Sequence, residues 1–221
     1  RIGARAFLGC DSLREIALPD HIALIGPGAF SKCASLQQAN IPGSLTDLPQ
    51  GLFQENRKLH AVHFHPDCQI PTIRKNTFGD CKSLTSLVLP DSITNIEDRA
   101  FYRCRSLDSV YFPEGLKRIG GQAFYSCNFT SLELPASLEV LEDSAFFKCT
   151  QLKYVRLPEN VHYIGKWVFH GCNRLKVLEI RHDPEFIGDW IINRAATIRC
   201  YRNSKVDQYC QEAGFKTEYL D

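Results

Sequence analysis

The 221-residue chain has no methionine and only two tryptophans. It has almost no net charge: 26 Lys+Arg against 25 Asp+Glu leave +1. That balance argues against a broad basic surface for nucleic acid and against a polybasic membrane anchor. No uninterrupted apolar run approaches the ~18–20 residues of a membrane-spanning helix, so no membrane insertion by this segment is expected. Catalytic signatures are also missing. There is no G-x-S-x-G, P-loop, G-x-G-x-x-G or H-E-x-x-H pattern, so neither an enzyme nor a resident cofactor is expected. Ten cysteines in 221 residues fall below the ~8–10% of a disulfide-built mini-fold. The apolar share of 44% and charged share of 23% are those of a folded chain, which excludes wholesale disorder.

What the sequence does have is a repeat, and a repeat decides the fold before any local reading. A phenylalanine recurs at Phe7, Phe30, Phe53, Phe78, Phe101, Phe124, Phe146 and Phe169, in steps of 23, 23, 25, 23, 23, 22 and 23. Three residues after it stands Cys10, Cys33, Cys81, Cys104, Cys127, Cys149 or Cys172, with Asn56 as the exception. An L-x-x-I-x-L-P cadence follows, as in Leu84, Leu87, Leu89 and Pro90. A second apolar pair closes each unit, for example Ile93/Ile96 and Leu138/Leu141. About eight units fit, with a partial ninth from Ile187 that puts Ile192 in the Phe slot.

Each unit reads as one coil of a solenoid. The I-x-L segment alternates with period two, so it predicts a short strand with both apolar residues inward. The proline after it ends the ladder, having no N–H to donate. Ala-Phe-x-x-Cys predicts a helical or 3₁₀ turn. One coil cannot bury its own apolar side, whereas stacked coils share a core. The expectation is one α/β solenoid over residues 1–221, its parallel strands forming a sheet ~40 Å long at ~4.8 Å per coil. The Phe column is its buried spine.

The L-x-x-I-x-L core resembles a leucine-rich repeat. The fuller string, as Ile96 to Pro113 spell it (IEDRAFYRCRSLDSVYFP), resembles the BspA-like class of bacterial and some protozoan surface proteins. That resemblance implies a right-handed coil with the sheet on the concave side and short turns and strand segments on the convex side. It also implies extracellular or cell-surface display and adhesion-type roles. The departures are local: Asn56 for Cys, His65 for Pro, and two extra residues near His65–Ile70.

The chain opens inside a repeat at Arg1-Ile2-Gly3 with no polar capping unit, which predicts further sequence upstream. Residues 204–221 predict a C-terminal cap. Ser204 is the N-cap, with Asp207 three residues on. Val206, Tyr209, Cys210 and Ala213 lie on one helical face, Gly214 is the stop, and a last strand lies within Phe215–Leu220.

The seven in-register cysteines have two readings, a metal or disulfide column and a ladder of small apolar side chains. Pairing inward-facing neighbours would pull coils out of register, so the apolar ladder is expected. A Cys200–Cys210 bridge stays open. His60, His63, His65 and Cys68 spell H-x-x-H-x-H-x-x-C, residue types that suit zinc. His63 and His65 alternate onto one strand face while His60 precedes the strand. A closed site would need the inserted loop to fold back, so an exposed polar patch is expected and no metal site. Asn128-Phe129-Thr130 matches a glycosylation sequon, with Phe129 expected in the core.

Recognition is expected on the concave face. The outward position between the two strand apolars reads Ala17, Asn40, His63, Val88, Tyr111, Glu133, Arg156 and Glu179. The position before them brings Tyr154. The candidate ligand-binding residues are His63, Tyr111, Glu133, Tyr154, Arg156 and Glu179, because Tyr and Arg dominate interface hot spots. The competing reading pairs Glu133, Arg156 and Glu179 with one another as solvated strand residues. The expected function is a non-catalytic protein-interaction module adhering to a host or matrix protein. A structural spacer and a carbohydrate-binding accessory module are the alternatives; for the latter, Tyr111 and Tyr154 would be the sugar platform.

Overall fold

The structure, a computed structural model, describes residues 1–220. In chain order the elements are β1 (Glu15–Ala17), β2 (Gln38–Ile41), β3 (Ala61–Phe64), β4 (Thr72–Ile73), β5 (Ser86–Val88), β6 (Asn95–Ile96), β7 (Ser109–Tyr111) and β8 (Arg118–Ile119). They continue with β9 (Val140–Leu141), β10 (Tyr154–Arg156), β11 (Tyr163–Ile164), β12 (Val177–Glu179), β13 (Phe186–Ile187), β14 (Thr197–Tyr201), α1 (Lys205–Ala213) and β15 (Lys216–Leu220). Every strand pairing among the described residues is parallel. Most partners are one repeat apart, as in Ile16↔Ala39↔Val62 and Val155↔Leu178↔Ile198.

The I-x-L strands form one line. The second apolar pair forms another, a six-stranded sheet in the order β13-β11-β9-β8-β6-β4. The turn segment adds a third line of cross-coil hydrogen bonds. The amide of Phe101 donates to the Ala123 carbonyl at 2.8 Å, and that of Phe124 to the Ala145 carbonyl at 2.8 Å. Where all three lines run, each coil is tied to the next on three sides, and the apolar side chains fill the space between.

The first line differs from the continuous sheet expected. It is divided into β1-β2-β3, β5-β7 and β10-β12-β14-β15. The divisions fall at the two repeats of irregular length. The 25-residue step separates β3 from β5. The 22-residue step leaves Ser131–Leu134 without strand pairing, so Glu133 sits off the ladder. The missing residue lies between Cys127 and Phe129, just ahead of that segment. A one-residue slip would flip every side chain to the other face. The chain instead keeps Leu132 and Leu134 packed against the core and gives up the ladder.

Ala-Phe-x-x-Cys is not the helical or 3₁₀ turn expected. It is a run of β-turns closed by Ala100 N to Glu97 O, Tyr102 N to Arg99 O and Cys104 N to Phe101 O. Arg99 and Arg103, third residues of the first and last turns, have φ of 56° and 59°. That is the signature of a type II turn, and it breaks any helical run. The pattern recurs at Gln122 and Ser126 and at Ser144 and Lys148.

The Phe column is the spine expected. Neighbouring rings stack 5.0 to 5.9 Å apart from Phe7 to Phe169. All are buried except Phe7 on the first coil. The cysteines are free thiols, buried except for Cys10. They do more than fill space. Cys81, Cys104 and Cys127 each point Sγ at the carbonyl of the Phe one coil back, at 3.2, 3.0 and 3.3 Å. Phe129 is buried, as expected.

The C-terminal unit closes the stack. Ser204 Oγ accepts from Asp207 N at 3.1 Å, and Gly214 is left-handed at φ 71°. Asp207 Oδ2 accepts from Asn203 N at 2.9 Å rather than from Ser204. Val206 and Cys210 are buried, and Tyr209 and Ala213 pack on the core. β15 pairs with β14 from Thr197↔Lys216 to Tyr201↔Leu220.

Candidate binding surface

The outward positions of the strand line follow from the pleat. In β7, Ser109 and Tyr111 point out and Val110 in; in β10, Tyr154 and Arg156 point out and Val155 in. Val88 is 69% exposed and Tyr111 53%, an unusual display of large apolar side chains side by side. His63 is exposed on β3.

The two interruptions of the ladder open two grooves on this face. One of about 620 Å³ lies between β3 and β5, lined by His63, His65, Val88, Pro90 and Tyr111 among others. The second, of about 590 Å³, lies at the unpaired segment, lined by Leu132, Glu133, Arg156, Pro158 and Glu159 among others. His63 and Tyr111 therefore share one groove, and Glu133 and Arg156 the other. Tyr154 and Glu179 line neither.

Glu179 differs from what its column predicts. It is only 2% exposed. Tyr154, Arg156, Arg181 and Arg199 cover it. Tyr154 Oη donates to Oε2 at 3.0 Å and Arg199 Nη1 to the same oxygen at 3.1 Å. Arg181 Nε donates to Oε1 at 2.5 Å, and Arg156 Nε stands 3.7 Å from Oε1. Burial alone would raise the pKa of Glu179, but hydrogen bonds from Arg181, Tyr154 and Arg199 outweigh it and hold the carboxylate below its ordinary range. Burial, then the bond to Glu179, pushes the Tyr154 phenol up. Of the expected Glu133–Arg156–Glu179 pairing only the Arg156–Glu179 half forms; the unpaired strand leaves Glu133 outside the network.

The three histidines His60, His63 and His65 line the first groove, while Cys68 is separated from them. Cys68 is buried in the core, and His65 Nδ1 accepts from Asp67 N at 3.2 Å. Among the described residues no group of three or more His, Cys, Asp or Glu is placed to hold a metal.

A second aromatic row escaped the sequence reading. Tyr102, Tyr125, Phe147 and His170 stack on the turn side with centroids 4.9, 5.3 and 5.7 Å apart. Arg99 and Lys148 lie over Tyr102 and Phe147 at 5.5 and 5.4 Å. The signal was in the sequence: these residues directly follow the Phe column in four consecutive units.

Stacked parallel coils with an I-x-L strand and a turn in each define a leucine-rich-repeat solenoid. The model of the BspA type leucine-rich repeat region matches six copies over residues 1–70 and 71–199, and the chain belongs to that family. Among solved structures, a leucine-rich repeat protein from Bacteroides ovatus aligns over 100% of this chain and 88% of its own, at 18% identity and TM-score 0.61. The T. pallidum leucine rich repeat protein aligns over 93% and 86%, at 25% identity and TM-score 0.54. No curated protein matches the chain.

Proposed function

We propose that the chain is a non-catalytic protein-interaction module of a bacterial cell-surface or secreted protein, adhering to a host or matrix protein through its strand face. The observation that carries this reading is the coincidence of both ladder interruptions with grooves flanked by outward Tyr, Arg and His side chains. A spacer needs only regular coils, and regular repeats elsewhere in this chain keep the ladder closed. Val88 and Tyr111 supply desolvatable area beside the first groove, and Tyr and Arg are the residue types that carry interface energy.

The test is a solid-phase panel of matrix proteins and glycans. It compares the native chain with a Tyr111→Ala/Tyr154→Ala/Arg156→Glu variant of matched far-UV circular dichroism. Saturable binding to a protein, weakened at least tenfold in the variant, is the expected result; each hot-spot loss corresponds to about 2 kcal/mol. Absence of binding by the native chain favours the spacer. Binding confined to glycans favours the carbohydrate-binding reading.

A further inference from the structure

Two carboxylates are buried among the described residues, Glu179 and Asp207. Asp207 is accounted for by the cap, where it accepts from Asn203 N, Gln211 Nε2 and Tyr219 Oη. Glu179 closes no turn and caps no helix. Its partners are all side chains of the strand face or its rim, and it holds them in a particular way. Arg199 is committed: Nη1 binds Glu179, while Nη2 binds both oxygens of Glu218 at 3.0 and 3.1 Å. Arg156 and Arg181 approach Oε1 through Nε. The Nη edges of these two guanidiniums make no hydrogen bond within the described residues. Among the described residues, their one ion pair within 4.0 Å is with Glu159, 4.0 Å from Arg156 Nη2 and largely exposed.

Arg181 is therefore hydrogen-bonded to Oε1 and Arg156 stands beside the same oxygen in an ion pair at 3.7 Å, both with their outer edges free of hydrogen bonds within the described residues. Exposed phenols flank them, Tyr154 at 44% and Tyr201 at 42%. Fixing a guanidinium in advance removes the rotamer entropy that binding would otherwise cost. Such a fork matches one planar oxyanion. The rest of the strand face sets the scale of the ligand. Its outward column carries Asn40, His63, Val88, Tyr111 and Glu133, with no Lys or Arg before Arg156. An extended polyanion needs a row of cations along its path, and this face has one compact pair at one end. We propose that Arg156 and Arg181, gathered at one oxygen of Glu179, receive a single carboxylate on an acidic peptide segment of a protein partner, with an aromatic or apolar neighbour of that carboxylate resting on Tyr154 or Tyr201. The inference rests on the strand face being a protein-binding surface.

The probe is a blocked peptide, acetyl-Phe-Glu-Phe-amide, titrated into the whole chain while the Arg Nε–H signals are followed by nitrogen–proton NMR. The Gln counterpart of the peptide and a heparin tetrasaccharide are titrated alongside. Saturable shifts with a Kd near ~1 mM or tighter are expected for the Glu peptide, with at least tenfold weaker binding of the Gln peptide. Arg156→Lys and Arg181→Lys keep the charge and lose the fork; each is expected to weaken the Glu peptide about fivefold or more. Both sites are half-exposed, so both variants keep the fold, which the unchanged amide spectrum checks. Equal binding of the Glu and Gln peptides overturns the inference, as does the absence of any saturable shift. Binding of heparin alone replaces it with a polyanion receptor. A protein partner that is lost on Tyr111→Ala but indifferent to both Lys substitutions leaves the protein-binding reading standing and sinks this one.

Discussion

At the residue scale, Asn56 explains what the cysteine column is for. In neighbouring coils the backbone amide of the column residue donates to the Phe carbonyl three residues back, as Cys81 N does to Phe78 O. Cys33 N donates instead to Asn56 Oδ1 at 2.7 Å, and Asn56 Nδ2 donates to Phe30 O at 2.9 Å. The amide inserts itself between the two groups and satisfies both. A thiol does part of the same work with a weaker donor. Asn56→Ala leaves two buried backbone groups unpaired, each costing ~1–3 kcal/mol. Cys104→Ala loses one weak bond and a small volume. Urea unfolding should therefore find Asn56→Ala the more destabilising by about 1–3 kcal/mol, although Asn is the exception in its column. Burial raises the pKa of Cys104 well above its ordinary value and that of Cys210 to about 12. Under native conditions a thiol reagent should label Cys10 fast and the others only as the chain opens. Mass spectrometry of partially labelled protein checks this.

Glu179 gives a pH dependence whose sign is fixed. Its folded pKa is lowered from 4.5, so the folded state favours the charged form. Its contribution is present above pH 4.5 and is lost as pH falls through the lowered folded value. Glu179→Gln should cost about 1–3 kcal/mol at neutral pH, with exposure of the three arginines reducing the full buried-pair figure. The gap between variant and native chain should shrink below pH 4. A gap independent of pH would mean that packing, not charge, holds the cluster.

At the element scale, much was legible and the reasons for the rest are specific. Period-two alternation found the strand cores Ile16, Leu87, Val110, Val155 and Leu178 because one face of each strand is buried. The capping residues Ser204 and Gly214 found α1 because each does chemistry only a helix end needs. The turn was misread because Ala-Phe-x-x-Cys has helical spacing, while left-handed geometry at Arg99, Ser126 or Lys148 leaves no trace in residue type. That geometry costs a non-glycine residue ~1–2 kcal/mol. Ser126→Gly should thus stabilise by about 0.5–1 kcal/mol once the added freedom of the unfolded chain is subtracted. Gly165 shows the opposite case. A Cβ there would sit 2.5 Å from the Asp143 amide nitrogen of the preceding coil, so Gly165→Ala should destabilise by more than ~1 kcal/mol. Thermal unfolding of the pair, one shifted up and one down, checks both.

The steps of 25 and 22 in the Phe column were equally visible, but their consequence was not. A repeat count says where a coil is long or short; only side-chain facing decides whether the ladder or the core yields. At Ser131–Leu134 the ladder yields. Inserting one residue after Cys127 should restore the 23-residue step. Amide exchange at residues 131–133 should then slow towards that of β10.

At the scale of the whole molecule, the solenoid is a one-dimensional stack in which each coil contacts its neighbours. The Phe column makes that contact continuous, so Phe101→Ala or Phe124→Ala should cost ~3–5 kcal/mol, read by denaturant unfolding. The stack presents three different surfaces: strand line, second sheet and aromatic turn row. Under the proposed function, recognition falls on the first. Of the six candidate residues, His63, Tyr111, Glu133 and Arg156 stand at the two grooves. Tyr154 and Glu179 belong to the arginine cluster. Glu179 organises that cluster from beneath, which a column of letters does not reveal because burial there depends on Arg181 and Arg199 from other positions.

The most direct measurement takes the protein ligand found in the binding panel and compares its Kd for variants of two faces. Tyr111→Ala/Arg156→Glu alters the strand line, and Tyr163→Ala/Phe186→Ala alters the stacked pair on the second sheet, whose rings lie 4.8 Å apart. Binding through the strand face predicts at least tenfold weakening for the first variant, about 1.4 kcal/mol or more, and no change for the second. Unchanged binding by the strand-line variant, with loss in the second-sheet variant, would contradict it.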